Sequence, residues 1–167
     1  MRGGREYGPG DFPVAVVAFA RAHYLRRCLA SLLAVDGLDR GKVTVYQDGF
    51  DQGVAQVARE LALALVQHTR QAQGDGAAHI ARHYGSMLAH AFATNPHAPY
   101  IVVIEEDLVF APDLLHYFAR MAQVMDADPT VLAVSAYNDN GLAPIASNTC
   151  QVYPTPARCT GASGSRD

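Results

Sequence analysis

Tyr100-Ile-Val-Val-Ile104 is a short apolar run that leads directly into three acidic residues, Glu105-Glu-Asp107. A continuous apolar stretch of this length is typical of a strand that is buried on both faces of a parallel sheet. Pro112 and Asp113 follow at positions that suit the first turn of a helix. The stretch therefore predicts a strand, a polar turn and a helix, which together form the repeating unit of an α/β domain.

Strands and helices alternate on both sides of this stretch. Apolar runs at 13–19, 42–47 and 130–136 predict three more strands. Residues 65–69 could extend a helix or form a short strand, and the pattern does not choose between them. Apolar residues at helical spacing predict four amphipathic helices, at 24–33, 54–61, 80–92 and 114–125. This order predicts an α/β domain with a mostly parallel sheet and helices on both faces.

The chain divides by composition into three parts. Residues 1–12 form an N-terminal extension, and residues 13–141 hold the alternating elements. Residues 142–167 are rich in Ala, Ser, Thr, Pro and Gly without periodicity, so we expect a flexible or loosely docked tail. This tail does not resemble the natural end of a folded domain. The domain is therefore expected to be incomplete at its C-terminus.

Bulk composition excludes several classes of protein. Half of the 167 residues are hydrophobic, 17% are charged and the net charge is −3, so intrinsic disorder is not expected. No block of Lys and Arg stands out, which argues against nucleic acid as a partner. No apolar run approaches the ~20 residues that cross a bilayer, and no signal peptide or anchor is recognisable. Whether Cys150 and Cys159 pair stays open.

Polar side chains follow three of the predicted strands. Arg21, Asp48 and the triplet Glu105-Glu-Asp107 stand where ligands bind in open α/β sheets, beyond the carboxyl ends of the strands. Adjacent carboxylates repel one another, and a divalent cation such as Mg²⁺ or Mn²⁺ relieves that repulsion. Because successive side chains of a strand point to opposite faces, the triplet predicts one metal ligand with neighbours that bind substrate. A solvated acidic turn before a helix is an equally good interpretation of the residue types alone.

Each of the other candidate residues also has a simpler explanation. Arg21 could hold a phosphate or lie in an exposed loop, and Asp48 could accept a hydrogen bond from a uracil or only form a turn with Gly49. His83 could reach the site from its helix. Residues 138–141, Asn-Asp-Asn-Gly, form either a plain turn or a loop that contacts a sugar.

Six segments that contain these residues follow one another between residues 13 and 141. They are Pro13-Val-Ala-Val-Val-Ala-Phe-Ala-Arg21, Tyr24-Leu-Arg-Arg-Cys-Leu-Ala-Ser-Leu-Leu33, Gln47-Asp-Gly49, Ile80-Ala-Arg-His-Tyr84, Ile101-Val-Val-Ile-Glu-Glu-Asp-Leu-Val-Phe-Ala-Pro-Asp-Leu-Leu-His-Tyr-Phe118, and Asp128-Pro129 leading to Val134-Ser-Ala-Tyr-Asn-Asp-Asn-Gly141. In this order they resemble the family of N-acetylglucosaminyltransferase I and its relative that extends O-linked mannose. Each segment alone would be a weak signal.

The resemblance implies a fold and an activity. The fold is glycosyltransferase A-type, which is Rossmann-like, with residues 13–141 as the nucleotide-sugar-binding domain. The implied reaction is Mn²⁺-dependent transfer of N-acetylglucosamine from UDP-N-acetylglucosamine, with inversion and in β-1,2 linkage, to a mannose of a glycoprotein glycan. An enzyme of this family would work on the lumenal side of the Golgi membrane, held by an anchor that is not recognisable in this chain.

The resemblance also implies roles for individual residues. Asp107 would be the metal ligand that meets the diphosphate, Glu106 would contact the ribose and Glu105 the transferred sugar. Three more residues match family positions around the uridine diphosphate: Arg21, Asp48 and His83.

Several features depart from the family pattern. Glu106 stands where N-acetylglucosaminyltransferase I more often has Asp, which leans towards the O-mannose relative, and Tyr137 stands where the family usually has Trp. The catalytic base is expected beyond Gly141, in a region that the tail replaces. Two alternatives to an active transferase therefore remain. One is a catalytically inactive fragment that binds nucleotide sugar, and the other is an unrelated α/β protein with an acidic pocket, such as a phosphotransfer receiver domain.

Overall fold

Four parallel strands form one sheet in the order β3-β2-β1-β4. In the computed structural model, which describes residues 5–70 and 75–136, the strands are β1 Val14–Ala18, β2 Val43–Asp48, β3 Ala64–His68 and β4 Val102–Glu105. Val16 lies at the centre of the sheet, in register with Val45 of β2 and Ile104 of β4. Because β1 lies between β2 and β4, their carboxyl ends meet at one edge of the sheet.

Four α-helices connect and cover the strands: α1 Ala22–Leu32, α2 Gln52–Glu60, α3 Gly76–Thr94 and α4 Leu114–Ala127. Two of them begin at an aspartate whose side chain accepts a backbone N–H of the first turn, at 2.9 Å. Asp51 caps α2 in this way and Asp75 caps α3. Short 3-10 turns occur at Pro9–Asp11 and Arg40–Lys42. None of the described helices is both long and apolar enough to cross a membrane.

The alternation of side chains along the strands divides the core between the two faces of the sheet. Val14, Val16 and Ala18 of β1 face α1, α2 and α4, where the larger cluster of buried apolar residues lies. Ala15 and Val17 face the other side, where Tyr46 packs with residues of α3. The predicted α/β class, parallel sheet and helices on both faces are therefore confirmed.

Two local predictions are decided by tertiary structure. Residues 65–69, which the pattern left open, form the edge strand β3 and not an extension of α2. The prediction of a strand at residues 130–136 is wrong. That segment has no strand partner among the described residues and Leu132 is 84% exposed, so β-propensity alone did not produce a ladder.

Residue contacts divide the chain into two units, Met1–Val134 and Ser135–Asp167. The first unit contains all the elements given above. Of the second unit, only residues 135 and 136 are described. The proposed loop at 138–141, the tail at 142–167 and the question of a Cys150–Cys159 pair all lie outside the described residues. The predicted domain boundaries stay predictions.

Candidate functional site

The carboxyl edge of the sheet brings together the polar residues that follow the strands. Arg21 lies just after β1, Asp48 ends β2, and Glu105 ends β4 and is followed by Glu106 and Asp107. A fully buried glutamine supports this edge, because the side-chain amide of Gln47 donates to the backbone carbonyls of the loops after β1 and β2, at 3.1 Å each. The loops after β1 and β2, which carry residues of the site, are thus anchored by the side chain of Gln47.

Glu106 is buried and bonded through both of its carboxylate oxygens. Oε1 accepts from Nε of Arg21 at 2.7 Å, and Oε2 accepts from the backbone N–H of Phe19 at 3.0 Å. Its side chain is 3% exposed, whereas that of Arg21 is 48% exposed. A buried carboxylate of this kind needs both partners, since an unpaired charge would be costly. Glu106 therefore holds the loop after β1 in place and orients the guanidinium group of Arg21.

Asp107 is more open to solvent than Glu106. One of its carboxylate oxygens lies 3.2 Å from a terminal nitrogen of Arg21, and its side chain is 36% exposed. The guanidinium of Arg27 donates to the backbone carbonyl of Asp107 at 3.3 Å. The ring of Tyr24 lies against both guanidinium groups, 5.2 Å from Arg21 and 5.6 Å from Arg27. Asp107 therefore offers an accessible carboxylate beside a positively charged group.

Glu105 points to the opposite face of the sheet, towards α3. Its Oε1 accepts from the hydroxyl of Tyr84 at 2.7 Å. Burial and then this bond to Glu105 raise the pKa of Tyr84 well above its usual value, so the hydroxyl stays protonated and remains a donor. The three adjacent carboxylates thus have three different surroundings, because the strand ends at Glu105 and the other two residues lie in the turn that follows.

A basic cleft of about 170 Å³ lies at the ends of β2 and β3, beside the N-terminal half of α3. Its lining includes one carboxylate, two guanidinium groups and three imidazoles: Asp48, Arg70, Arg82, His68, His79 and His83. Asp48 lies 3.8 Å from Nε of Arg70 and is only partly exposed. The two guanidinium groups outnumber the one carboxylate, which favours an anionic ligand, and Asp48 supplies a hydrogen-bond acceptor within the cleft.

Phe19 connects this basic cleft with the carboxylates at the end of β4. Its backbone N–H donates to Glu106, and its half-exposed ring lies 4.5 Å from the guanidinium carbon of Arg70. The two parts of the site therefore share the loop after β1, and one extended ligand could contact both.

At this edge of the sheet, the described side chains offer a metal ion single carboxylate ligands and not an enclosed site. Among the described residues, no group of three or more His, Cys, Asp or Glu side chains is placed to enclose a metal ion. Glu106 is buried with both of its oxygens bonded, and Glu105 points towards α3, whereas Asp107 offers a partly exposed carboxylate beside Arg21. A divalent cation such as Mg²⁺ or Mn²⁺ usually completes its coordination with water and substrate phosphates, so this arrangement fits an ion that arrives with a phosphorylated ligand.

Comparison with known proteins adds an independent observation. The sequence profile described as GNT-I family matches residues 6–153, which is most of the chain. The chain belongs to the GNT-I family. It is also similar to a protein of Arabidopsis thaliana named alpha-1,3-mannosyl-glycoprotein 2-beta-N-acetylglucosaminyltransferase, with 34% identity over 146 residues. That alignment covers 79% of this chain and 33% of the relative, so the chain spans about a third of the length of the curated relative it matches.

Membership of the GNT-I family decides between the family resemblance and the alternative of an unrelated α/β protein. The match runs through both parts of the site and through all four strands. The resemblance drawn from the six segments is therefore confirmed, and the alternative of a phosphotransfer receiver domain is excluded.

Sequence reasoning missed several residues that the structure brings to this edge of the GNT-I domain. His68 and Arg70 went unnoticed because residues 65–69 were ambiguous, and a strand assignment would have placed both at a carboxyl end. Tyr84 stood in the helix predicted at 80–92 and in the segment that ends with it, but no role was given to its hydroxyl, which reaches Glu105. Phe19 carried no signal, because its part in the site depends on its backbone N–H.

Proposed function

We propose that this chain is the donor-binding part of an N-acetylglucosaminyltransferase that acts in N-glycan processing. The proposed reaction is inverting transfer of N-acetylglucosamine from UDP-N-acetylglucosamine, in β-1,2 linkage, to a mannose of a glycoprotein glycan. Support comes from membership of the GNT-I family and from the activity for which the Arabidopsis relative is named. The O-mannose-directed transferase remains the alternative acceptor specificity.

One observation carries this proposal: Arg21, Glu106 and Asp107 form a bonded cluster at the carboxyl edge, next to a basic cleft. A nucleotide diphosphate sugar has two anionic phosphates between a polar nucleoside and a polar sugar. The cationic lining of the cleft suits the nucleoside diphosphate, and the carboxylates at the end of β4 suit hydroxyl groups. The site therefore has both kinds of surface that such a donor needs.

We assign the donor contacts as follows. Arg21 would neutralise phosphate charge, Asp48 would accept a hydrogen bond from the uracil ring, and His83 would line the nucleoside side of the cleft. Glu106 would face the ribose and Glu105 the transferred sugar. Both carboxylate oxygens of Glu106 are bonded, to Phe19 and to Arg21, so a ribose contact would require it to share one of those bonds.

We propose Mn²⁺ as the cofactor, with Asp107 as its protein ligand. When bound, the ion supplies positive charge that stabilises the departing diphosphate. The accessible carboxylate of Asp107 fits an ion that the donor phosphates also coordinate. Arg21 lies 3.2 Å from the same carboxylate, so it would hold Asp107 in position and add its own charge beside the phosphates.

Replacement of Asp107 tests the donor site. The variant Asp107→Asn should lose the Mn²⁺-dependent part of UDP-N-acetylglucosamine binding in a calorimetric titration, because a neutral amide is a poor ligand for a hard divalent cation. Asp113→Asn is the matched control, since Asp113 is exposed and its side chain makes no capping bond. Unchanged metal-dependent binding by Asp107→Asn would refute the assignment.

A second candidate function is donor binding without transfer. It is favoured by one observation: within the described site, Glu105, Glu106 and Asp107 each have a protein partner, and none is set apart as a base for an acceptor hydroxyl. An inverting transfer needs such a base within hydrogen-bond reach. Product formation from a mannose-terminated acceptor above a no-enzyme control would rule this candidate out.

We also propose that the protein works in the secretory pathway, on the lumenal side of the Golgi membrane. This follows from the class of reaction, since glycoprotein glycans are processed there, and from the family match. Immunolocalisation of the tagged protein against a Golgi marker tests it, and a diffuse cytosolic signal would contradict it.

A further inference from the structure

Two histidines in the basic cleft are bonded to each other. Nδ1 of His68 lies 3.2 Å from Nδ1 of His83, and the ring planes meet at 67° with centroids 5.2 Å apart. The other nitrogen of His83, Nε2, lies 3.2 Å from the backbone carbonyl oxygen of Tyr46. The backbone of β2, the His83 side chain on α3 and the His68 side chain on β3 are thus joined by two consecutive hydrogen bonds.

The backbone carbonyl of Tyr46 determines which ring nitrogens carry a hydrogen in this chain of hydrogen bonds. A carbonyl can only accept, so Nε2 of His83 must carry the hydrogen. In a neutral His83 ring, Nδ1 is then an acceptor, and Nδ1 of His68 must donate to it. In a neutral His68 ring, Nε2 is left without a hydrogen and is itself an acceptor.

Only one of the two histidines has a nitrogen left for a ligand. His83 is 5% exposed and uses both of its nitrogens within the protein. His68 is half-buried and lines the cleft, and its Nε2 has no hydrogen-bond partner among the residues that the structure describes. The ring nitrogen that remains available to a ligand therefore belongs to His68, to which the family resemblance gave no role.

We propose that Nε2 of His68 accepts a hydrogen bond from the nucleoside of the donor, and that His83 acts on the ligand through His68 by fixing its tautomer. This inference rests on the proposed binding of UDP-N-acetylglucosamine. The phosphates carry only acceptor oxygens, so they cannot satisfy an acceptor nitrogen. The nucleoside can, because its ribose has hydroxyl groups, whereas the one N–H of the uracil ring is already assigned to Asp48.

Two amide variants distinguish the roles of the two ring nitrogens of His68. The amide of Asn reaches about as far as Nδ1, so His68→Asn keeps a donor for His83 and removes Nε2. The longer amide of Gln reaches about as far as Nε2, so His68→Gln keeps an acceptor for the ligand and removes Nδ1. Calorimetric titration of UDP-N-acetylglucosamine with Mn²⁺ at neutral pH measures each affinity, and circular dichroism checks that each variant is folded.

The proposal expects His68→Asn to weaken binding about threefold to tenfold, the value of one neutral hydrogen bond, and His68→Gln to stay within about twofold of wild type. The reverse order would overturn it and leave His68 as a support for His83 alone. Equal affinity for both variants and wild type would also overturn it, while leaving the proposed function intact. No binding by folded wild-type chain would overturn both.

Competition with modified nucleotides identifies the donated hydrogen. The ribose has two hydroxyl groups, so either 2′-deoxy-UDP or 3′-deoxy-UDP should lose affinity for wild type but not for His68→Asn. If neither analogue shows that pattern, the proposal is overturned. His97→Asn is the control, because His97 is exposed beyond the C-terminal end of α3 and lies outside the cleft. Nitrogen-15 shifts of the free chain should report a hydrogen on Nε2 of His83 and on Nδ1 of His68, and the opposite tautomers would contradict the proposal without any variant.

Discussion

Single residues at the edge of the sheet differ because each adjacent side chain meets a different neighbour. Glu105 meets Tyr84, Glu106 meets Arg21 and a backbone N–H, and Asp107 remains accessible beside Arg21. The alternation of strand side chains predicted that the three carboxylates could not all hold one ion, although the strand ends at Glu105 and a turn positions the other two. It did not predict which one would be buried, because burial depends on the loop after β1 folding over Glu106.

Replacement of Glu106 by Gln should destabilise the fold by about 1–3 kcal/mol, because an amide cannot present two acceptor oxygens to Arg21 and the N–H of Phe19. One donor would be left facing another donor in a buried position. Urea unfolding measures the difference in the free energy of unfolding. Glu6→Gln, at an exposed position, is the control and should change little. Equal stability of the two variants would contradict this account of the edge.

His68 should make the stability of the fold depend on pH. Burial, followed by the charges of His83 and His90, lowers the pKa of His68 below its ordinary value of 6.5, although Asp48 opposes this. The unfolded chain therefore binds a proton more readily than the folded chain. The free energy of unfolding should fall as the pH drops from above 6.5 through the lowered pKa.

The dependence is checked by urea unfolding at several pH values. His68→Asn should show a shallower slope in that window, whereas His116→Asn, at an exposed position on α4, should keep the wild-type slope. A His68 pKa above 6.5 in an NMR titration would contradict the argument.

Whole elements were predicted well where hydrophobic periodicity was long and clear. The helices α1, α3 and α4 and the strands β1, β2 and β4 lie where the apolar pattern put them. The pattern failed at short segments. Residues 65–69 form a strand because they pair with the edge of β2. Residues 130–136 do not form a strand, and no described strand pairs with them. Pairing is a tertiary property, and a short apolar run does not encode it.

The aspartate cap of α3 gives a prediction at this scale. Asp75→Ala should cost about 1 kcal/mol of stability, because the backbone N–H of Ala78 would lose its acceptor at 2.9 Å. The loss should also weaken donor binding modestly, since the first turns of α3 carry three residues of the cleft lining: His79, Arg82 and His83. Thermal unfolding and calorimetry measure the two effects. Asp75→Ser keeps a capping oxygen and should recover most of the stability, and failure to do so would argue against a capping role.

Across the first structural unit, the segment before β1 is tied to elements that are distant in the sequence. The hydroxyls of Tyr7 and Tyr100 donate to the two carboxylate oxygens of Asp126 on α4, at 2.8 and 2.7 Å. Tyr7 is buried and stacks on Phe12, which joins the main core. Residues 1–12 were predicted only as an extension, because contacts over more than a hundred positions leave no local pattern.

This connection should be visible in the titration of Tyr100. The bond to Asp126, followed by burial, raises the pKa of Tyr100 from 10.0 to about 12. A raised tyrosine pKa means that the stabilisation is complete below pH 10 and is lost as the pH rises through about 12. Asp126→Asn removes the carboxylate charge, so the Tyr100 pKa should return towards 10 and alkaline unfolding should begin at lower pH.

NMR of the tyrosine rings, assigned with Tyr100→Phe, measures that pKa. Asp128→Asn is a suitable control, because Asp128 lies at the end of α4 and bonds only its own turn. An unchanged Tyr100 pKa in Asp126→Asn would show that the carboxylate does not accept the hydrogen bond from Tyr100.

The most direct test of the central claim is a calorimetric titration of UDP-N-acetylglucosamine into the wild-type chain, with and without Mn²⁺. We predict binding that is strengthened by the metal and absent for a nucleotide sugar with a different base, such as GDP-mannose. That result would establish a donor site built from the carboxyl edge of the sheet. No binding of UDP-N-acetylglucosamine by a chain shown to be folded, in either condition, would contradict the account.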